Sequence, residues 1–533
     1  MIRLTRPSTR FARLALLSLG LLTGCGGTSG DDAAAERTLR VAVIGDLTTP
    51  TPYAATTGAE RLLAAETQRG LVTLDAAGRI VPGLAESWWV SEDGLSYIFR
   101  LRLAHWQDGK TVTPDDVVRA FRAMLGPGSR HPLREELSVI ENADKVRERK
   151  LGSRALGVKA VTENVVEIVL ERPLPAMLGL LADPTTGIVR SVQENGQRLQ
   201  LGLGPYRLTR REPGSWLLDT NGGSFAARGL GYGHVLLSPV ASADAAIARF
   251  RDGKVDIVAG GALDGLSGAR TLPASGTLRI EPSYGVYGLV AQTRRGPLAD
   301  IRLRRALAMA VDRENLVQRL FSISAMKVAT AIVPPNLPSY GAPAAPDWAA
   351  WTPVERQQEA RRLLTEAGFG PDTPLTLTVA LPDGIENEQV LAAIAANWQA
   401  LGVQITARRG SRAAMAALVA TGEFDLALRP IITAADLPSA FLAPYLCNAG
   451  AINFGGYCNA EADRLLGEAT HIADRAARTA KIKAAEKLMA DEAPVISLFV
   501  PVRWSLVRAD ITGWVDNVAG SHPLSQLHPD GGK

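Results

Sequence analysis

The chain has 533 residues, 46% of them hydrophobic and 5% aromatic, with 58 basic against 54 acidic side chains. Such a composition excludes a disordered chain, and the length is too great for one core, so two or three domains are expected. The excess of four positive charges lies in Arg3, Arg6, Arg10 and Arg13; the remainder balances at 54 basic and 54 acidic residues, which disfavours a nucleic-acid binder.

In chain order, those arginines precede an apolar stretch, 14–22, and then the small residues Gly24 and Cys25. This is the plan of a secretory signal peptide over 1–24. About nine apolar residues fall short of the roughly 20 that a bilayer-spanning helix needs. The tetrapeptide Leu22-Thr23-Gly24-Cys25 resembles the bacterial lipobox, whose cysteine becomes the lipidated first residue of the mature chain. Cys25 is therefore the expected lipidation site, with several acyl chains, because one chain alone holds a protein only marginally at a membrane. The plain alternative is an ordinary signal peptide with an incidental cysteine. Residues 25–37 have the composition of a flexible tether.

The apolar run 38–47 reads as a buried strand. Within 83–125, residues 97–103 alternate as a strand, and Asp93-Gly94 and Asp108-Gly109 supply turns. Thr113-Pro114-Asp115-Asp116 opens a helix with a hydroxyl cap, proline at its first position and an acid at its third. The charged segment 144–154 reads as a solvated excursion, and 158–170 as one alternating strand. A hairpin is expected over 202–221, and a short helix, 243–251, leads into a strand at 255–260. Apolar residues at 303, 306, 307, 310 and 311 predict a helix over 301–321 with an arginine-rich outer face. Beyond it, helix, glycine and strand recur, with stops at Gly368, Gly402 and Gly422, as in an α/β domain with a substantially parallel sheet. The proline-rich piece 333–353 is a long ordered connection or a surface crossing.

Motifs for chemistry are missing. The six histidines never reach metal-ligand spacing, and there is no G-x-S-x-G elbow or G-x-x-x-x-G-K-[ST] loop. Gly229, Gly231 and Gly233 form G-x-G-x-G, but no helix follows to present its N-terminus to a phosphate. No metal site or cofactor is expected, and no enzyme. With Cys25 assigned to lipid, Cys447 and Cys458 remain as a plausible disulfide outside the cytoplasm. Closing so short a loop contributes roughly 3 kcal/mol in the chain-entropy model. Metal ligation is the alternative, but two cysteines without a nearby histidine make a poor zinc site.

An exported, tethered, multidomain chain without catalytic motifs suits a binding protein, and here the residues carry a resemblance. The stretch GLAESWWVSEDGLSYIFRLRLAHWQDGKTVTPDDVVRAF resembles the signature of the family 5 extracellular solute-binding proteins, the dipeptide-, oligopeptide- and nickel-binding components of ABC importers. IRLRRALAMAVDRENLV resembles the family's second hallmark, and GPYRLTRREPG, FRDGKVDIVAG, NFGGYCNAEADRLLGEA and AAEKLMADEAPVISLFVP match in order, so the likeness spans roughly 38–515. It implies an α/β, two-lobed periplasmic-binding-protein-like fold of three domains with a hinge. Domain I would combine 38–70, 201–288 and 499–527; an inserted domain II would take 71–200, completing the first lobe; domain III, 289–498, would form the second. Trp88, Trp89 and Trp106 fall within the scaffold signature and are expected in the core, although stacking platforms for sugars were the functional alternative.

In peptide-binding members an aspartate in a tryptophan-x-Ala-Asp segment pairs with the ligand's α-ammonium. The matching stretch here is RPIITAADLPSAFL, which places Ala435 and Asp436 on the motif and Thr433 where the tryptophan is expected; Ser439-Ala440 replaces the common Asp-Pro. These departures put the ligand in doubt. Asp436 could instead cap the helix that follows. The resemblance thus implies a monomeric, lipid-anchored, extracytoplasmic protein that captures a short peptide and delivers it to the permease subunits of an ABC transporter. Chelated nickel, an opine or an oligosaccharide remain alternative solutes. A cell-envelope hydrolase, or an envelope module without a transport role, are alternative functions.

Overall fold

The computed structural model describes residues 37–531 apart from 195–196, 273–276, 434–435 and 473. Cys25, the signal segment, the tether up to residue 36 and Ala435 lie outside the described residues.

Three sheets organise the chain. The first has seven strands in the order Tyr206–Glu212, Ser215–Thr220, His234–Val240, Thr38–Ile44, Ile257–Gly261, Val502–Val507 and Leu278–Pro282. Thr38–Ile44 runs parallel to both of its neighbours and buries Leu39, Val41, Ala42 and Val43, which explains the apolar run at its centre. A second, five-stranded sheet is ordered Val403–Gly410, Leu375–Pro382, Leu426–Ile432, Gly285–Ala291 and Val495–Phe499. Its first three strands are mutually parallel, linked by the helices Ile385–Gln399 and Arg412–Thr421. The last two run antiparallel to their neighbours, so the sheet is only partly parallel. A four-stranded antiparallel sheet, Ala85–Val90, Ser96–Leu101, Val165–Val169 and Val158–Thr162, has its own core with the helix Pro114–Leu125. The result is a two-lobed fold in which the four-stranded unit enlarges the lobe of the seven-stranded sheet.

Two crossings join the lobes. The chain passes from Leu278–Pro282 to Gly285–Ala291 through Ser283 and Tyr284, and returns from Val495–Phe499 to Val502–Val507 through Val500 and Pro501. The expected boundaries at 288/289 and 498/499 thus fall inside strands of the five-stranded sheet. The crossings are bound to each other: Ser283 N–H donates to Pro501 O at 2.9 Å, and the rings of Tyr287 and Phe499 stack at 5.0 Å. Gly285 is needed here, since a Cβ would lie 2.8 Å from Ile431 O and 3.2 Å from Pro501 Cγ.

Several expectations need correction. The segment 301–321 is two helices, Ile301–Ala310 and Arg313–Leu320. The break has a cause: Asp312 caps the second helix by accepting from Asn315 N–H at 3.1 Å, and Arg313 Nη1 donates back to Ala308 O at 2.9 Å and Val311 O at 3.1 Å. Two of the preceding arginines are partners of the helix Arg475–Glu492, where Arg304 Nε donates to Glu492 O and Arg305 Nη1 to Asp491 O, both at 2.8 Å. Arg304 is therefore buried rather than on an outer face. Residues 158–170 form a hairpin of Val158–Thr162 and Val165–Val169 rather than one strand. Trp106 is buried and Trp88 half-buried, but Trp89 is 56% exposed. A bulge between Ala85 and Ser87 sets Trp88 opposite buried Phe99 and turns Trp89, opposite Ile98, to the outer face. The connection 333–353 is ordered and partly internal, with Val333, Leu337, Tyr340 and Trp348 buried.

Candidate ligand-binding cleft

In open α/β sheets, ligands bind beyond the carboxyl ends of parallel strands. Here those ends in the two lobes face each other. Glu386, on the helix after Leu375–Pro382, accepts from Ser267 N–H at 3.0 Å, Ser267 Oγ at 2.8 Å and Gly265 N–H at 3.3 Å, just beyond the end of Ile257–Gly261. A second parallel strand of this lobe, Leu426–Ile432, leads directly to Thr433 and on to Asp436. Thr433 N–H donates to Tyr284 O at 3.0 Å, which ties this end to the crossing. Leu437 packs against the core of the four-stranded unit, so this segment meets both lobes.

Asp436 is half-buried, and its carboxylate is held by one residue of the connection. Ser339 donates to it twice, through N–H at 2.8 Å and Oγ at 2.6 Å, while Arg475 Nη2 donates to Ser339 O at 3.0 Å. Asp436 does not cap the next helix: Leu437 stands at the cap position of Pro438–Leu442, without a side-chain cap bond. Two hydrogen bonds leave a carboxylate with lone pairs to spare. The group is thus oriented and still able to accept from a guest.

Tyr284 links Asp436 to the first lobe. Burial raises its phenol pKa; the Asp436 charge adds to that rise and Arg503 opposes it. Arg503 is itself shifted down by burial, against the pull of Glu281 and Tyr284. Its Nη2 donates to Val518 O at 2.9 Å and lies 3.9 Å from Glu281 Oε2, which also contacts His522 Nε2 at 2.9 Å. Five buried side-chain atoms around these groups have no hydrogen-bond partner among the described residues: Ser283 Oγ, Asn336 Oδ1, Arg503 Nε, Trp514 Nε1 and His522 Nδ1. Buried polar atoms are normally satisfied, so these five have bonding capacity left for water or a polar guest.

Arg429, on Leu426–Ile432, adds a cation. Its guanidinium lies 4.4 Å over the Phe454 ring, burial lowers its pKa, and among the described residues it has no carboxylate partner. Phe454 belongs to the loop closed by a disulfide between Cys447 and Cys458, eleven positions apart. Of the sequence-derived residues, Thr433 and Asp436 lie together at the strand end, the cysteines close a neighbouring loop, and Ala435 and Cys25 are outside the described residues. Tyr284, Ser339, Arg429 and Arg503 were missed. Only the proline-rich composition of 333–353 pointed to the segment that holds one of them, Ser339. Among the described residues no cluster of three or more His, Cys, Asp and Glu is placed to hold a metal, and no helix is long and apolar enough to cross a membrane.

The model of the bacterial extracellular solute-binding proteins, family 5 middle region, matches residues 79–453. The chain is 25% identical over 489 residues to the periplasmic oligopeptide-binding protein OppA of Escherichia coli K12, covering 86% of this chain and 85% of that one. It is 27% identical over 472 residues to the probable deoxycholate-binding periplasmic protein YgiS of the same organism, covering 84% of each. The solved E. coli murein tripeptide binding protein MppA superposes with a TM-score of 0.80 at 25% identity, over 92% of this chain and 98% of that one. This chain belongs to the family 5 bacterial extracellular solute-binding proteins.

Proposed function

We propose that this protein captures a short peptide between its two lobes and delivers it to the permease of an ABC importer, without chemistry or cofactor, as a monomer anchored outside the cytoplasm by lipid on Cys25. The observation that carries the reading is the Asp436 carboxylate, fixed by two Ser339 hydrogen bonds and half open at the lip of the cleft. A carboxylate oriented in this way suits an α-ammonium, and a charge-assisted pair of this kind is strong and directional. Thr433 and Ala435 flank it and would offer backbone groups to an extended peptide, in the manner of an added strand. Arg429 would oppose a ligand carboxylate. The lobe of the seven-stranded sheet with the four-stranded unit, 38–282 and 502–527, would move as one body against the lobe of the five-stranded sheet, 285–499. Ligand contact with both lobes would then shift the population towards closure.

Two relatives with peptide-binding names support this reading, while the relative named for deoxycholate keeps a non-peptide solute as the second. The test is thermal stability of the chain from Gly26 onward with free-amine and N-acetylated peptides side by side. At 100 times Kd, one site adds about 2.7 kcal/mol to the folded state. Stabilisation by free-amine peptides alone, removed in Asp436→Asn, is the expected result. If neither set shifts the transition, the peptide reading falls, and bile acids, metal chelates, opines and sugars come next.

A further inference from the structure

A second polar cluster lies away from the cleft, in the helical layer of the lobe built on the five-stranded sheet. Arg313 is 1% exposed and Arg356, on the helix Pro353–Glu366, is 8% exposed. The Arg313 guanidinium sits 5.2 Å over the ring of Trp348, itself 1% exposed. Buried charges are normally paired. Among the described residues, neither guanidinium has a carboxylate within ion-pair distance; burial first and then the Arg356 charge lower the pKa of Arg313, with Glu314, beyond that distance, opposing them least.

The hydrogen bonds leave a deficit of one kind. Arg313 donates Nε to Ser497 O at 2.7 Å and Nη1 to Ala308 O and Val311 O, but among the described residues its Nη2 has no partner. The Nε of Arg356, the indole Nε1 of Trp348 and the Oγ of Ser497 are likewise buried without one. Three of these four atoms are obligate donors, and the fourth is a hydroxyl that can turn to donate. A guest that matches them must accept only, and must bring negative charge to a place holding two cations. Water meets the first need in part and the second not at all.

We propose that Arg313, Arg356 and the Trp348 indole hold one compact inorganic anion of the chloride class. The site joins the break between Ile301–Ala310 and Arg313–Leu320 to the strand Val495–Phe499, which runs directly into a lobe crossing. Occupancy therefore ties the helical layer to the hinge strand and stabilises the second lobe in the absence of any solute in the cleft.

The test uses the chain from Gly26 onward in sodium chloride and in sodium gluconate at equal ionic strength, gluconate being too large for the site. The expected result is a Tm that rises with chloride along a one-site saturation curve, and loss of that dependence in Arg356→Gln. Crystals soaked in sodium bromide should show anomalous density within hydrogen-bond distance of Arg313 Nη2, which tests the wild-type chain even where the variant does not fold. Asp436→Asn should keep the chloride dependence, since the two sites are separate. Equal Tm in the two salts, or a bromide-free site occupied by water, overturns the proposal.

Discussion

Two carboxylates grip the connection 333–344, from opposite surroundings. Glu486, on the helix Arg475–Glu492, is 0% exposed and accepts from Val333 N–H at 2.9 Å, Tyr340 Oη at 2.9 Å and Ala344 N–H at 2.8 Å. Asp436 meets the same segment from the cleft, is half-buried, and among the described residues accepts only from Ser339. The chemistry is shared, but Glu486 is closed on all sides by the protein and Asp436 is left open on one. A buried acid surrounded by donors fixes structure; an oriented acid with capacity left is what a binding site needs.

Breaking the closed grip should have the largest effect. Glu486→Ala orphans two backbone N–H groups and a tyrosine hydroxyl in the interior, each costing about 1 kcal/mol or more. A loss of roughly 3 kcal/mol of stability is expected, measured by denaturant unfolding. Asp436→Asn keeps shape and acceptor oxygen, and should leave the ligand-free midpoint within about 0.5 kcal/mol of wild type. Equal losses in the two variants would erase the distinction between a structural and a binding carboxylate.

Acidity sharpens the same contrast. Burial raises the Glu486 carboxyl to about 7 against the opposing hydrogen bonds of Ala344, Val333 and Tyr340. Glu66, also fully buried, is likewise raised to about 7 by burial, opposed by Arg69 and the N–H groups of Leu524 and Ser525. For both, the folded state holds a proton that the unfolded state releases near its ordinary value. Their contribution is therefore full below about 4.5 and is lost as pH rises through about 7. Glu60 runs the other way. Burial would raise it, but hydrogen bonds from the Thr48 hydroxyl and the N–H groups of Thr56, Thr57 and Thr48 hold it near 2. Its contribution stands above its ordinary range and is lost as pH falls towards 2. Unfolding curves between pH 5 and 8 should thus show a decline that shrinks, on the order of 2 kcal/mol, in Glu66→Gln. An unchanged slope would show that Glu66 is ionised throughout.

On the open side, Ser339→Ala removes the hydroxyl bond to Asp436 and keeps the N–H bond. Under the peptide reading this loosens the carboxylate without deleting it, so peptide affinity should fall about five-fold, near 1 kcal/mol, with little change in unliganded stability. Calorimetric titration measures it. Unchanged affinity would mean that Ser339 only anchors the connection.

Much of the fold was legible because local signals agreed with the tertiary result. Thr113 with Asp116 announced a helix start that the structure keeps, the Asp116 carboxylate accepting from the Thr113 N–H. The strand-helix-strand run after Gly368 carried its own punctuation. The failures came where tertiary contacts overrode a local pattern, as where Arg313 turns back to cap Ala308 and splits a helix whose apolar spacing runs through the break. The cleft was half legible. Asp436 was reachable through a resemblance, whereas Ser339, Tyr284 and Arg503 lie 97, 152 and 67 positions from it and meet it only through the connection and the crossings. No period or spacing encodes such a meeting.

The smallest expected effect concerns the signature itself. Trp106 is sealed, and its indole N–H donates to Asp116 Oδ2 at 3.2 Å, so removing the ring opens a cavity and frees a buried acceptor. Trp89, only 17 positions earlier in the same signature, faces outward opposite Ile98. Trp89→Thr puts a β-branched residue, well suited to a strand, at an exposed position and removes little that water had not already reached. The stability change should stay within about 0.5 kcal/mol, against about 3 kcal/mol or more for Trp106→Ala. Should the Trp89 variant lose as much as the Trp106 variant, the outer face of the four-stranded sheet is covered in solution. Crosslinking from that face would then identify the cover.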